Sequence, residues 1–141
     1  MTDLNTKMDI NAWCQSYTTA FSAYDTSSIS GHWAFPAVIY TPNGPVSLTS
    51  RERFDANTDA LLGFYKQHGV ARAVRELVDV LPFSDNAQAI TVDDRMEMAD
   101  GTVIVRWKAA YVLTRTPDGF KAVFADASGE LAAWKARGTP L

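Results

Sequence analysis

Two runs in the second half of the chain constrain its fold more than any other feature. Gln88, Ile90, Val92, Asp94, Met96 and Met98 fall at every second position. After Asp100-Gly101, the residues Val103, Val105, Trp107, Ala109, Tyr111 and Leu113 do the same. A period of two marks a strand with one buried face, because successive side chains point to opposite sides. Asp-Gly between two such runs is a hairpin turn. Pro117-Asp118-Gly119 turns the chain again, and Phe120, Ala122, Phe124 and Asp126 share a face of the next run. Val70 to Phe83 is Val-rich, alternates imperfectly, and reads as a strand ahead of these. The second half is therefore an antiparallel meander.

The first half has the other period. Ile10, Trp13, Tyr17, Ala20, Phe21 and Tyr24 are spaced by threes and fours, which puts them on one stripe of a helix over about 9–25. Asp25 or Ser27 can cap a short second helix over 27–33. Pro36 disfavours helical geometry at Phe35, so Ala37 to Thr41 reads as a strand, "TPNGP" as its turn and Val46 to Leu48 as a returning strand. Thr49 followed by Glu52 has the spacing of a capping box for a third helix over 50–68, with Phe54, Leu61, Phe64 and Tyr65 inward and Gly69 as its stop. "GELAAWKARG" allows a final helical turn or two. Helices packed on one face of a bent sheet make an α+β cone, which leaves a cavity at its wide end. Three long strands also leave a broad outer sheet face, which a second copy of the chain would cover.

The 141 residues suit one domain, 1–141, with the polar residues 1–7 expected to be flexible. Basic and acidic residues are interleaved at a net charge of −3, which argues against nucleic acid as a partner. No apolar run is long enough to span a bilayer. The N-terminus has neither a basic nor an apolar signal region, and the one cysteine, Cys14, allows no internal disulfide; both point to a cytoplasmic protein. With two histidines in no HxH or HxxxH spacing, a metal site is not expected. No glycine-rich phosphate motif occurs, so no cofactor is expected.

The order of elements resembles the NTF2-like superfamily, the cystatin-like cone, over nearly the whole chain. "SYTTAFSAYD" and "AVIYTPNG" carry the likeness locally, and are similar to SnoaL-like and ketosteroid-isomerase-like members. The resemblance implies an α+β cone of three N-terminal helices on a strongly curved, mostly antiparallel sheet. It also implies frequent dimers and a cavity for a small apolar molecule. It puts Tyr17 where the isomerases hold an oxyanion donor. Where they hold the carboxylate base, this chain has Thr41, which cannot abstract a proton from carbon at a useful rate. Where they hold a protonated acid, it offers Ala109 or Tyr111. The isomerase chemistry needs all three groups, so that activity is rejected and the cavity is kept.

The remaining candidates follow from phase. Asp94 shares a face with Val92 and Met96, although a bulge beside Asp93 would turn it to solvent. Asp94 and His32 are the candidate bases, with Tyr17 as donor and Tyr111 as a second donor across the cavity. Trp13, Tyr17, Trp33, Ile39, Thr41, Trp107, Tyr111, Phe124 and Asp126 are the expected ligand-binding wall, with Tyr40 turned away. Arg51, Arg53, Arg72 and Arg75 read as a solvated, salt-bridged surface. The leading expectation is a binding or scaffold protein for a small apolar ligand, working as a homodimer. The alternative is a lyase, isomerase or hydrolase acting on an apolar carbonyl-bearing or aromatic compound.

Overall fold

The computed structural model describes residues 3–141. Met1 and Thr2, the start of the stretch expected to be flexible, lie outside the described residues. Helix α1 spans Leu4–Ser22 and begins well ahead of its apolar stripe. Asp3 caps it, accepting the Thr6 amide at 2.8 Å, and a capped first turn needs no buried face of its own. The stripe then buries Ile10, Trp13, Cys14, Tyr17 and Ala20. Tyr24, at φ 55°, turns the corner, and its hydroxyl donates to the Val70 carbonyl at 2.6 Å. Asp25 caps α2, Thr26–Ser30, through the Ser28 amide.

Strand β1 spans Trp33–Thr41 and β2 spans Gly44–Leu48. β1 starts at Trp33, before Pro36, because Trp33 already pairs with Ala122 of a distant strand. Helix α3, Arg51–Gln67, is capped by Ser50, which accepts the Arg53 amide; with arginine at that third position, the expected Thr49–Glu52 capping box does not form. Gly69, at φ +77°, follows the helix end. The meander comprises β3 Arg72–Ser84, β4 Ala87–Glu97, β5 Val103–Thr116 and β6 Gly119–Asp126, and α4 Ser128–Ala136 follows.

The six strands form one sheet in the order β2-β1-β6-β5-β4-β3. β1 lies parallel to β6, and every other pair is antiparallel. Register shifts in β3–β4, β4–β5 and β5–β6 mark the bulges that bend such a sheet. α1 packs across β3, and α4 across β5. Between helices and sheet, Ile10, Cys14, Ile29, Val92, Leu113, Ala122 and Trp134 lose all exposure.

One bulge corrects the phase read for β6. Val112 pairs with Phe124, whereas Leu113 pairs with Ala122, leaving Val123 as an extra residue. The inner face therefore passes from Ala122 to Ala125, and Phe124 turns outward. Met98 and Val103, at the ends of their runs, are exposed. Among the described residues, no helix is long and apolar enough to cross a membrane.

Candidate functional site

The inner face of β5 repeats every second residue, so Trp107, Ala109 and Tyr111 rise in one column towards the helices. Ala109 is small, and the space above it stays open. A cavity of about 490 Å³ results, within the range of small-molecule sites. Its walls are mostly apolar, with Phe21 from α1, Phe54, Leu61 and Phe64 from α3, and Leu131 from α4. Trp33, Ile39, Thr41, Trp107 and Asp126 also line it.

Two tyrosines, Tyr17 and Tyr111, line this space. The Tyr17 hydroxyl accepts the Trp33 indole N–H at 2.9 Å. The Tyr111 hydroxyl accepts from Arg75 Nη2 at 2.8 Å. Among the described residues, neither hydroxyl passes its own proton to a protein acceptor. Accepting a bond polarises an O–H and makes it a better donor. Their rings meet edge to face, with centroids 6.1 Å apart. Burial raises both pKa values, that of Tyr111 to about 12, so both are neutral donors.

Arg75 stands behind Tyr111, contrary to the surface role read for it. It is 6% exposed because β3–β4 register sets Arg75 against Asp94 on the inner face. Its Nε and Nη2 donate to the two Asp94 oxygens, each at 2.7 Å. The guanidinium lies 4.4 Å from the Tyr111 ring centroid. Asp94 is equally buried, so it is neither solvated nor a free base: the fork holds both oxygens. Burial opposes the Arg75 charge, but Tyr111 and Asp94 outweigh it and keep the group protonated.

A carboxyl at the cavity wall without such a partner is Glu130, on α4. A side chain on Gly129 would collide with the Lys108 carbonyl, so only glycine lets α4 lie this close to β5. Trp134, one turn on, is fully buried and donates its indole N–H to Glu130 Oε2 at 3.2 Å. The Tyr65 hydroxyl donates to the same oxygen. Among the described residues, no donor reaches Oε1. Burial pushes the Glu130 pKa up to about 7, against the pull of those two donors. Sequence reading passed over Glu130. Its signal was a glutamate four residues before a tryptophan in a short helix, a pairing that faces inward only if the helix docks that way.

Of the other candidates, His32, Trp13 and Phe124 lie outside the cavity, while Thr41 and Asp126 line it with side-chain oxygens already bonded locally. His32 sits outside the cone, its ring nitrogens 2.6 Å from the Ser28 carbonyl and 2.8 Å from Ser16 Oγ. Burial lowers its pKa. Trp13 stacks on Tyr17 with centroids 5.0 Å apart, in the core rather than the cavity wall. Phe124 faces away from the cavity, as the β6 bulge dictates. The Thr41 hydroxyl is spent on its own turn, donating to the Gly44 carbonyl and accepting the Asn43 amide. Asp126 accepts the Ser128 amide at 2.9 Å. Cys14 is buried with its pKa raised to about 11, which leaves it inert.

Fold and cavity together define an NTF2-like, cystatin-like α+β cone. Residues 7–129 match the family described as NTF2-like protein (DUF6841), and the chain belongs to that family. No curated protein matches the sequence. Among solved structures, Aln2 from a Streptomyces species is similar at a TM-score of 0.74 and 13% identity, over 96% of this chain and 99% of that one. A cystatin-like domain of unknown function from Nostoc punctiforme gives 0.69 at 16% identity, over 89% and 77%. A ketosteroid isomerase-like protein from Erwinia carotovora atroseptica gives 0.62 at 15% identity, over 83% and 90%. At these identities the likeness is one of fold.

Proposed function

We propose that this protein binds a small, mostly apolar molecule in the cone and holds it by an oxygen. The observation that carries this reading is the pair of phenols. Tyr17 and Tyr111 each accept a hydrogen bond from the protein, line the cavity, and among the described residues have no protein acceptor for their own protons, which leaves them for a bound oxygen. Apolar walls supply affinity through area removed from water, while a few converging donors fix orientation. The test is equilibrium binding of 2-acetylnaphthalene, followed by tryptophan fluorescence, to the wild type and to Leu61→Trp, which fills the cavity. The substitution should weaken binding at least about tenfold, or roughly 1.4 kcal/mol. Equal binding by both proteins overturns the reading.

Glu130 favours a second reading, acid–base catalysis on the bound molecule. A carboxyl with a pKa of about 7 is balanced to take and return a proton near neutrality. With an enolisable ketone, Glu130 would take a proton from the carbon beside the carbonyl. The C–H electron pair would pass into an enolate whose oxygen the phenols stabilise. Deuterium uptake by 2-tetralone in heavy water, read by NMR, tests this. Protein-dependent exchange lost in Glu130→Gln supports it, and no exchange above the buffer rate overturns it.

The outer sheet face is read as the contact between two copies. Leu81, Ala89, Val112, Phe124 and Val38 follow one another in register across five strands. This apolar row lies on the face away from the helices.

A further inference from the structure

Arg75 carries an unspent donor. Its Nε and Nη2 serve Asp94 and Tyr111, but Nη1 is buried with no partner. A buried guanidinium nitrogen left bare costs free energy unless something accepts from it. Arg75 borders a small chamber of about 40 Å³, roomy enough for an oxygen or a few waters. The chamber and the cone cavity share Tyr17, Phe21, Trp107, Tyr111 and Glu130 as lining.

We propose that this chamber, which shares a wall with the cone cavity, is a subsite for an uncharged acceptor oxygen, a ketone or amide carbonyl. Tyr111 and Arg75 Nη1 are its donors, and it disfavours carboxylates. The proposal rests on the reading of the cone as a ligand cavity and adds which oxygen chemistry that cavity selects. The charge count decides between the two kinds of oxygen. Asp94 already neutralises Arg75 through a two-bond fork, so the guanidinium offers donors without net positive charge. Glu130, on the shared wall, adds negative charge whenever it is ionised. A ligand carboxylate would enter beside two protein carboxylates in a poorly solvated place, where like charges repel strongly. A neutral carbonyl meets only the donors.

Three probes of one shape test this: naphthalene, 2-acetylnaphthalene and 2-naphthoate, titrated against the wild type and against Arg75→Lys. The lysine keeps a charge for Asp94 but loses the second guanidinium arm. For the wild type, the ketone should bind at least about tenfold tighter than the hydrocarbon and than the carboxylate. Arg75→Lys should shrink the ketone advantage severalfold and leave naphthalene unchanged. If none of the probes binds the wild type, the cavity reading fails and takes this proposal with it. If naphthalene and the ketone bind alike, or the lysine variant keeps the full ketone advantage, the subsite is overturned and the cavity stands. Tightest binding by 2-naphthoate overturns the selection of a neutral oxygen. A readout that needs no variant is the carbonyl stretch of carbon-13-labelled 2-acetylnaphthalene bound to the wild type. It should lie below its position in hexane, and an unshifted band overturns the proposal even if Arg75→Lys does not fold.

Discussion

A β-carbon on Gly129 would run into the backbone carbonyl oxygen of Lys108. This contact between α4 and β5 sets the height of the C-terminal helix above the sheet, and with it the position of Glu130. A backbone neighbour cannot rotate away as a side chain can. Gly129→Ala should therefore push α4 outward and cost about 1–3 kcal/mol, the usual penalty of overpacking. Urea unfolding checks this, and a midpoint equal to the wild type's would show that the helix has slack.

Glu130 should make stability fall as pH rises. Its pKa is about 7 in the folded protein, against an ordinary 4.5. Between those values the unfolded chain gives up the proton while the folded protein keeps it, so stability declines with increasing pH and levels off above about 7. The full difference is worth at most about 3 kcal/mol. Glu130→Gln should flatten the profile between pH 4.5 and 7, as read by chemical denaturation across that range. A profile unchanged by the substitution would mean the carboxyl is better solvated than its position indicates.

Arg75→Met should be severely destabilising, by about 3–5 kcal/mol, because it strands the Asp94 carboxylate inside the sheet. Replacing both, as Arg75→Met with Asp94→Leu, should recover most of that loss, since the cost lies in the unpaired charge. Thermal melts of the single and double variants decide this. A double variant no more stable than the single one would place the importance of Arg75 in its contacts to the aromatic rings instead.

Phe124→Glu should separate the proposed dimer without unfolding the protein, because Phe124 faces outward, away from the core. Light scattering at micromolar concentration should give twice the chain mass for the wild type and one chain for the variant. A monomeric wild type removes the dimer. A dimeric variant moves the interface to another face.

How far the site could be read in advance depended on local geometry. Tyr17 was placed by a helical stripe and Tyr111 by strand alternation, both of which are set by neighbours along the chain. The β5 column of Trp107, Ala109 and Tyr111 was legible for the same reason. Arg75 was not, because arginine in an imperfectly alternating strand reads as surface, and only the pairing of β3 with β4 brings Asp94 opposite it. Phe124 was assigned to the wrong face because a bulge adds one residue to one strand, and nothing within that strand's own sequence announces it.

By itself, the sequence determined the α+β class, the helix–hairpin–helix–meander order and the two phenol positions. Those depend on hydrophobic period, caps and turns, which act over a few residues. The tertiary structure decided the chemistry of the cavity. Docking α4 on β5 through Gly129 carried Glu130 to its wall, and sheet register buried Arg75 beside Asp94. Burial and pairing set how a charged group behaves, and both arise from residues far apart in the chain, so they exist only once the sheet has closed over the helices.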